Sequence, residues 1–210
     1  MPGPFVDVPA AAFNACYRPF LLAPQRTQIF YGGAGSGKSV FLAQRAVLDA
    51  LSGRNTLVAR QVARSLRSSC FAEAQKAIRR FGLDSFFETN LSQMSLTCRQ
   101  NGAQLLFLGL DDVEKIKSVT PKRGALTDIW VEEATQAAWA DVRQLEKRLR
   151  GQSAHPKRLT LSFNPVSKGH WIYREYFAGF PEDRGVLETD SLLILRTTYR
   201  DNSFLTADDR

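Results

Sequence analysis

The chain has 210 residues, 44% hydrophobic and 23% charged, which suffices for one substantial α/β core and is ordinary for a globular protein. No apolar run approaches the length of a membrane span, and the start Met1-Pro2-Gly3-Pro4-Phe5-Val6-Asp7 lacks the charged and apolar regions of a signal peptide. A net charge of +7 points toward a polyanionic partner.

In chain order, Gln28-Ile29-Phe30-Tyr31 is the first predicted strand. It runs into Gly32-Gly33-Ala34-Gly35-Ser36-Gly37-Lys38-Ser39, which satisfies the phosphate-binding pattern G-x-x-x-x-G-K-[ST] at every position. A buried helix follows from Val40 to Leu51, then a second strand, Thr56 to Arg60. Arg64 to Phe81 reads as a helix with Leu66, Cys70, Ala74, Ile78 and Phe81 on one face and Gly82 as its stop. Ser95–Arg99 and Gln104–Leu110 pair around Asn101-Gly102, a strong hairpin signal. Asp111 to Lys117 suits a short helix capped by Asp111 or Asp112, and Asp128-Ile129-Trp130-Val131 a further strand.

Trp139 to Arg150 is predicted as a helix with Val142, Leu145 and Leu149 along one stripe. Leu159 to Phe163 is a strand ended by Asn164-Pro165, Trp171 to Phe177 a short helix, and Leu192 to Tyr199 the last strand. Alternation of this kind predicts an α/β fold with a mostly parallel central sheet flanked by helices and ligands at the carboxyl ends of the strands. No repeat, low-complexity tract or long linker interrupts it, so residues 1–210 are expected to form one domain.

The phosphate loop defines the expected chemistry. Its glycines let successive N–H groups converge on one anion, and the helix N-terminus adds positive potential. Gly32, Gly33, Ala34, Gly35, Ser36, Gly37, Lys38 and Ser39 are the expected ATP-binding residues, with Lys38 between the β- and γ-phosphates and the Ser39 hydroxyl on Mg2+. Ile129-Trp130-Val131-Glu132-Glu133 has the form of the partner element, a buried strand ending in two acids. Glu132 is expected to hold magnesium through its water shell, and Glu133 to activate the attacking water as catalytic base. Asn164, at the end of its own strand, is the expected γ-phosphate sensor, with Ser162 second. Arg143, Lys147 and Arg150 fall on a second face of their helix, and with Lys157 and Arg158 they are the candidate contacts to a polyanionic partner, which the resemblance given below makes DNA; a solvated, salt-bridged face explains the same spacing. Cys16, Cys70 and Cys98 are far apart and never in C-x-x-C, as expected of buried thiols in a reducing compartment; His155 and His170 alone make no metal site.

Four passages together resemble the ATPase domain of the large terminase subunit of tailed bacteriophages: Phe30 to Ser39, Leu57-Val58-Ala59-Arg60, Gly109-Leu110-Asp111-Asp112-Val113-Glu114-Lys115-Ile116-Lys117-Ser118, and Ile129 to Thr135. Ser162-Phe163-Asn164-Pro165 matches that family's coupling motif in place. The resemblance spans essentially the whole chain and implies a P-loop NTPase of the additional-strand type. It also implies ATP hydrolysis coupled to translocation of double-stranded DNA into a preformed capsid. The implied partners are the portal protein, a small terminase subunit and further copies in a homo-oligomeric ring, in the cytoplasm of an infected bacterial host and with no membrane.

Two departures stand out. Many large terminases carry an arginine in the phosphate loop where this chain has Ala34. The compensating cation is then expected from the Lys115 to Arg123 segment of a neighbouring subunit, with Lys117 and Arg123 as candidates, or from Arg60 within the subunit. The family's C-terminal nuclease has no room within 210 residues, so no nuclease activity is expected of this chain. A helicase- or recombinase-like ATPase and a nucleotide-gated assembly scaffold remain alternatives. A second motor domain or aromatic stacking loops would mark the first, and absence of turnover the second.

Overall fold

Strands that read as uninterrupted apolar runs occupy the middle of the sheet, where both faces are covered. The computed structural model describes residues 6–112, 116, 118–177, 179–180 and 185–206. Among these, the strands are β1 (Thr27–Gly32), β2 (Thr56–Arg60), β3 (Phe87–Asn90), β4 (Ser95–Cys98), β5 (Gln104–Gly109), β6 (Asp128–Glu132), β7 (Arg158–Phe163), β8 (Val186–Glu188) and β9 (Leu192–Thr197). They form one sheet in the order β3-β4-β5-β2-β6-β7-β1-β9-β8. The six strands from β5 to β9 in that order run parallel, while β3, β4 and β8 add antiparallel edges. β7 stands between β1, which feeds the phosphate loop, and β6, which ends in the acids. That insertion is the additional strand.

Side chains alternate across the strands, so two cores form. Phe30, Val58, Trp130 and Leu195 face the helices α1 (Lys38–Leu51) and α3 (Ala72–Arg80). Ile29, Leu57, Ile129, Leu161 and Ile194 face α4 (Trp139–Glu146) and the segment around Ile172 and Phe177. β7 breaks the apolar rule on its first face, where Arg158, Thr160 and Ser162 are all buried. Each meets a polar partner there. Arg158 pairs with Asp49 of α1 and donates to Asp128 at 2.5 Å, and Thr160 accepts from Arg45 of α1 at 2.9 Å. Arg54 completes the cluster with two bonds to Asp128, at 2.8 and 3.0 Å.

Several expectations need correction. The helix expected over 64–81 is broken into α2 (Ala63–Leu66), a wide turn (Arg67–Phe71) and α3. At the break Ser69 takes φ −113, ψ −106, and its hydroxyl donates to Ser65 O at 2.6 Å, a local bond that competes with the helical ladder. The helix expected over 139–150 ends at Glu146, and the last strand ends at Thr197. The helix expected over 111–117 lies largely outside the described residues; Asp111 itself accepts from the Ala63 amide at 3.2 Å. The short helix expected over Trp171–Phe177 is present, and it widens to π geometry over Tyr173–Phe177. No helix among the described residues is long and apolar enough to cross a membrane.

Candidate nucleotide site

The phosphate loop sits where the topology puts ligands, at the carboxyl ends of β1, β6 and β7. Gly32 ends β1 against β9, where a Cβ would come within 1.8 Å of Thr197 O; only glycine allows that approach. Gly37 has φ +85, a left-handed conformation that turns the backbone into α1 without the penalty a side chain would carry. Remote side chains hold the loop from below. Tyr17, fully buried and stacked on Phe41, donates to Ser36 O at 3.0 Å and bonds Thr197 Oγ1 at 2.8 Å. Asn202 donates to Gly35 O at 2.7 Å. The local motif does not reveal Tyr17 and Asn202, because their partners lie far away in sequence.

A cavity of about 360 Å³ opens over the loop, bounded by residues 34–40, the two acids, Ser162, Phe163, Asn164 and Asn202. Lys38 Nζ donates to Gly32 O at 2.7 Å, Gly33 O at 3.1 Å and Ser36 Oγ at 3.0 Å, and reaches Asn164 Oδ1 at 3.4 Å. Burial pushes the Lys38 pKa below its ordinary value, and the Glu132 carboxylate opposes that shift. A buried cation of this kind gains from a polyanion placed in the cavity.

The two acids diverge, for a reason visible in the backbone. Glu132 is the last residue of β6 and, two along from Trp130, shares its face. It accepts from the Ser39 and Ser162 hydroxyls and from Trp130 Nε1 at 3.2 Å. Glu133 instead has φ +51, ψ +46, uncommon for a residue with a side chain and frequent at functional sites. Its carboxylate is paired with Arg60, whose Nε donates to Oε2 at 3.1 Å. Among the described residues no group of three His, Cys, Asp or Glu side chains gathers to hold a metal alone. Ser39 Oγ and Glu132 Oε1, in contact with each other, make a sparse hard-oxygen set. That set suits magnesium, which keeps waters and shares substrate phosphates.

The other expected residues separate. Lys117 lies outside the described residues. Arg123 is exposed at the amino end of the sheet, where Asn55 bonds its carbonyl at 2.8 Å and its side chain lies along Gly102. It does not reach its own subunit's phosphate loop, at the opposite end. Arg158 is not a surface residue. It is 4% exposed and locked to Asp49 and Asp128, so its assignment as a DNA contact is corrected. Arg143 is exposed, pairs with Glu146 at 2.7 Å and lies over the Trp139 ring. Lys147 and Arg150 are exposed beyond the end of α4, and Lys157 bonds Gly151 O.

A phosphate loop between β1 and α1, acids at the end of β6 and β7 inserted between them define a P-loop NTPase of the additional-strand class. The family model described as phage terminase large subunit matches residues 24–210, and the chain belongs to that family. It is 32% identical over 184 residues to the PBSX phage terminase large subunit of Bacillus subtilis, covering 86% of this chain and 40% of that protein. It is 27% identical over 199 residues to the large terminase subunit of Bacillus phage SPP1, covering 92% and 46%. The chain thus spans less than half the length of these curated relatives. A large terminase from a thermophilic bacteriophage has the same fold, with a TM-score of 0.71 at 18% identity over 93% of this chain and 46% of that one. That terminase has also been solved with ADP and with ATP-γ-S.

Proposed function

We propose that this chain is the ATP-hydrolysing part of a large terminase subunit and couples hydrolysis to translocation of double-stranded DNA into a preformed capsid. The observation that carries the reading is the convergence of Lys38, Ser39, Glu132, Glu133 and Asn164 on one cavity. The nucleotide complexes of the similar terminase support ATP as the ligand. In this reading the loop amides and Lys38 hold the β- and γ-phosphates, and Lys38 exchanges the loop carbonyls for phosphate oxygens. Ser39 and Glu132 hold magnesium, which when bound neutralises charge on the β- and γ-phosphate oxygens. Glu133 orients a water and takes its proton as the water oxygen attacks the γ-phosphorus and the bond to the ADP oxygen breaks. Asn164 contacts the γ-phosphate, and Arg60 supplies the cation that Ala34 does not. Double-stranded DNA, the portal protein, a small terminase subunit and a homo-oligomeric ring are the proposed partners, in the cytoplasm of an infected bacterial cell.

Steady-state ATP hydrolysis with and without duplex DNA tests the proposal. The parent chain should hydrolyse ATP faster with DNA. Glu133→Gln should keep ATP binding and lose turnover by at least about 100-fold, or about 2.7 kcal/mol of barrier. ATP binding without turnover under any condition would favour the scaffold alternative, and stimulation by single strands alone the helicase alternative.

A further inference from the structure

β6 and β7 are parallel neighbours, so the segments that leave them begin side by side. The first carries Glu133 into the turn Ala134–Gln136. The second carries Asn164, which touches Lys38, and then folds back onto the first. His170 Nε2 lies 3.1 Å from Thr135 O, and Trp171 Nε1 donates to Ala137 O at 2.9 Å. His170 Nδ1 accepts the Ile172 amide at 3.2 Å, which places the ring proton on Nε2 and makes that nitrogen the donor. Two consecutive side chains therefore grip the carbonyls two and four residues beyond Glu133. The turn itself is closed by Gln136 N on Glu133 O at 2.8 Å and Ala137 N on Ala134 O at 3.2 Å. The Trp171 ring also packs on Trp139, 4.9 Å between centroids, which joins the start of α4 to the same clamp.

Left-handed backbone at a residue with a side chain persists only where the surroundings over-determine it. Glu133 is such a residue, and the clamp supplies fixed points just beyond it. We propose that His170 and Trp171 are positioning residues that hold the Glu133 turn in register with Asn164, seven or fewer residues earlier on their own segment. When Asn164 engages the γ-phosphate, the segment that carries it is the one that fixes the proposed base. A shift at either end is transmitted by a short, hydrogen-bonded piece of backbone rather than through the sheet. The inference rests on the proposed roles of Glu133 and Asn164.

Trp171→Phe keeps an aromatic ring against Trp139 while removing the N–H that holds Ala137 O. His170→Ala removes the second donor, and His170→Gln restores an amide N–H at nearly the reach of Nε2. Each loss should lower kcat about 10- to 100-fold, as expected when a reacting group moves by about 1 Å, with the Kd for ATP within about twofold of the parent. His170→Gln should recover most of the loss. In an Asn164→Ala background the Trp171→Phe effect should shrink to about twofold or less, because the two residues then act as one unit. The inference is overturned by unchanged kcat in both variants, by kcat, ATP affinity and thermal stability falling together, or by effects that multiply in full with Asn164→Ala. Glu133→Gln separates the two levels. If it turns over like the parent, the base assignment fails; if it is inactive while Trp171→Phe and His170→Ala are fully active, only the clamp fails.

Discussion

Arg60 Nε donates to Glu133 Oε2 at 3.1 Å, tying the last residue of β2 to the first residue beyond its neighbour β6. Glu133 lines the phosphate cavity, so this guanidinium stands at its edge within the same subunit. It answers the absence of a loop arginine at Ala34 more directly than Arg123, which sits at the far end of the sheet.

If Arg60 supplies the compensating charge in cis, Arg60→Ala should lower kcat on the order of 10³-fold or more while ATP still binds. Specific activity of the parent should then stay constant on dilution. A mixture of Arg60→Ala with Glu133→Gln should remain inactive, because each subunit lacks a part of its own site. Recovered activity in that mixture points to a cation acting between subunits, with Lys117 as the first residue to replace.

Lys38 rests on the carbonyls of Gly32 and Gly33 and on Ser36 Oγ, and burial has already removed much of its water. Phosphate oxygens replace those acceptors with charged ones. Lys38→Ala should therefore raise the Kd for ATP by about 10- to 100-fold, the loss of a charge-assisted bond worth roughly 1.5–3 kcal/mol. Calorimetric titration measures it, and parent-like affinity would mean that the loop amides alone hold the phosphates.

The phosphate loop and the acid pair are legible in the sequence because their chemistry is local: glycine spacing sets the loop, and an apolar run sets the strand that delivers the acids. β2 is legible over its full length for the same reason. β3 and β8 are not, since Phe87 is the one buried residue of the first and the second has none. Arg158 looks like a surface cation beside Lys157, yet its burial depends on Asp49, 109 positions away. Tyr17, Asn202, His170 and Trp171 escape a reading of motifs in the same way. Each acts on backbone carbonyls brought close only by the sheet order.

Neighbouring glycines in the loop should differ sharply. A Cβ at Gly32 meets Thr197 O at 1.8 Å, and that oxygen belongs to backbone that cannot yield without parting β1 from β9. A Cβ at Gly33 meets nothing within 4 Å. Gly32→Ala should cost about 1–3 kcal/mol or more in urea unfolding, whereas Gly33→Ala should unfold at the parent's midpoint. Equal midpoints for the two would show that β9 does not press on the loop.

If the chain translocates DNA as proposed, binding to duplex DNA should be insensitive to sequence and steeply dependent on salt, since such a motor must hold phosphates without reading bases. Arg143→Ala, Lys147→Ala and Arg150→Ala remove exposed cations, and each that contacts a phosphate should reduce the salt slope by about 1. Arg158→Ala should act differently, lowering stability rather than the slope, because its guanidinium is buried against carboxylates. Affinity that hardly changes between low and moderate salt would exclude a phosphate-tracking surface.

Asp128 ties two remote parts of the chain to β6, accepting from Arg54 and Arg158, and also accepts from the hydroxyl of its neighbour Thr127. Burial alone would raise its pKa, but Arg158 and Arg54, with the Thr127 hydroxyl, hold it below the usual carboxylate range. Asp128→Asn leaves two buried guanidinium groups short of a counter-charge and should destabilise the fold by about 3–5 kcal/mol near pH 7. The sign with pH follows from linkage. Below about pH 3.9 the unfolded chain binds a proton at this residue that the folded chain does not, so acid favours unfolding. The stabilisation by Asp128 is therefore complete above that pH and disappears as pH falls through the depressed folded value. Urea unfolding of parent and Asp128→Asn should show a wide gap at pH 7 that narrows only under strong acid. A gap of the same width at every pH would mean that the carboxylate is not held low and that the contact contributes packing alone.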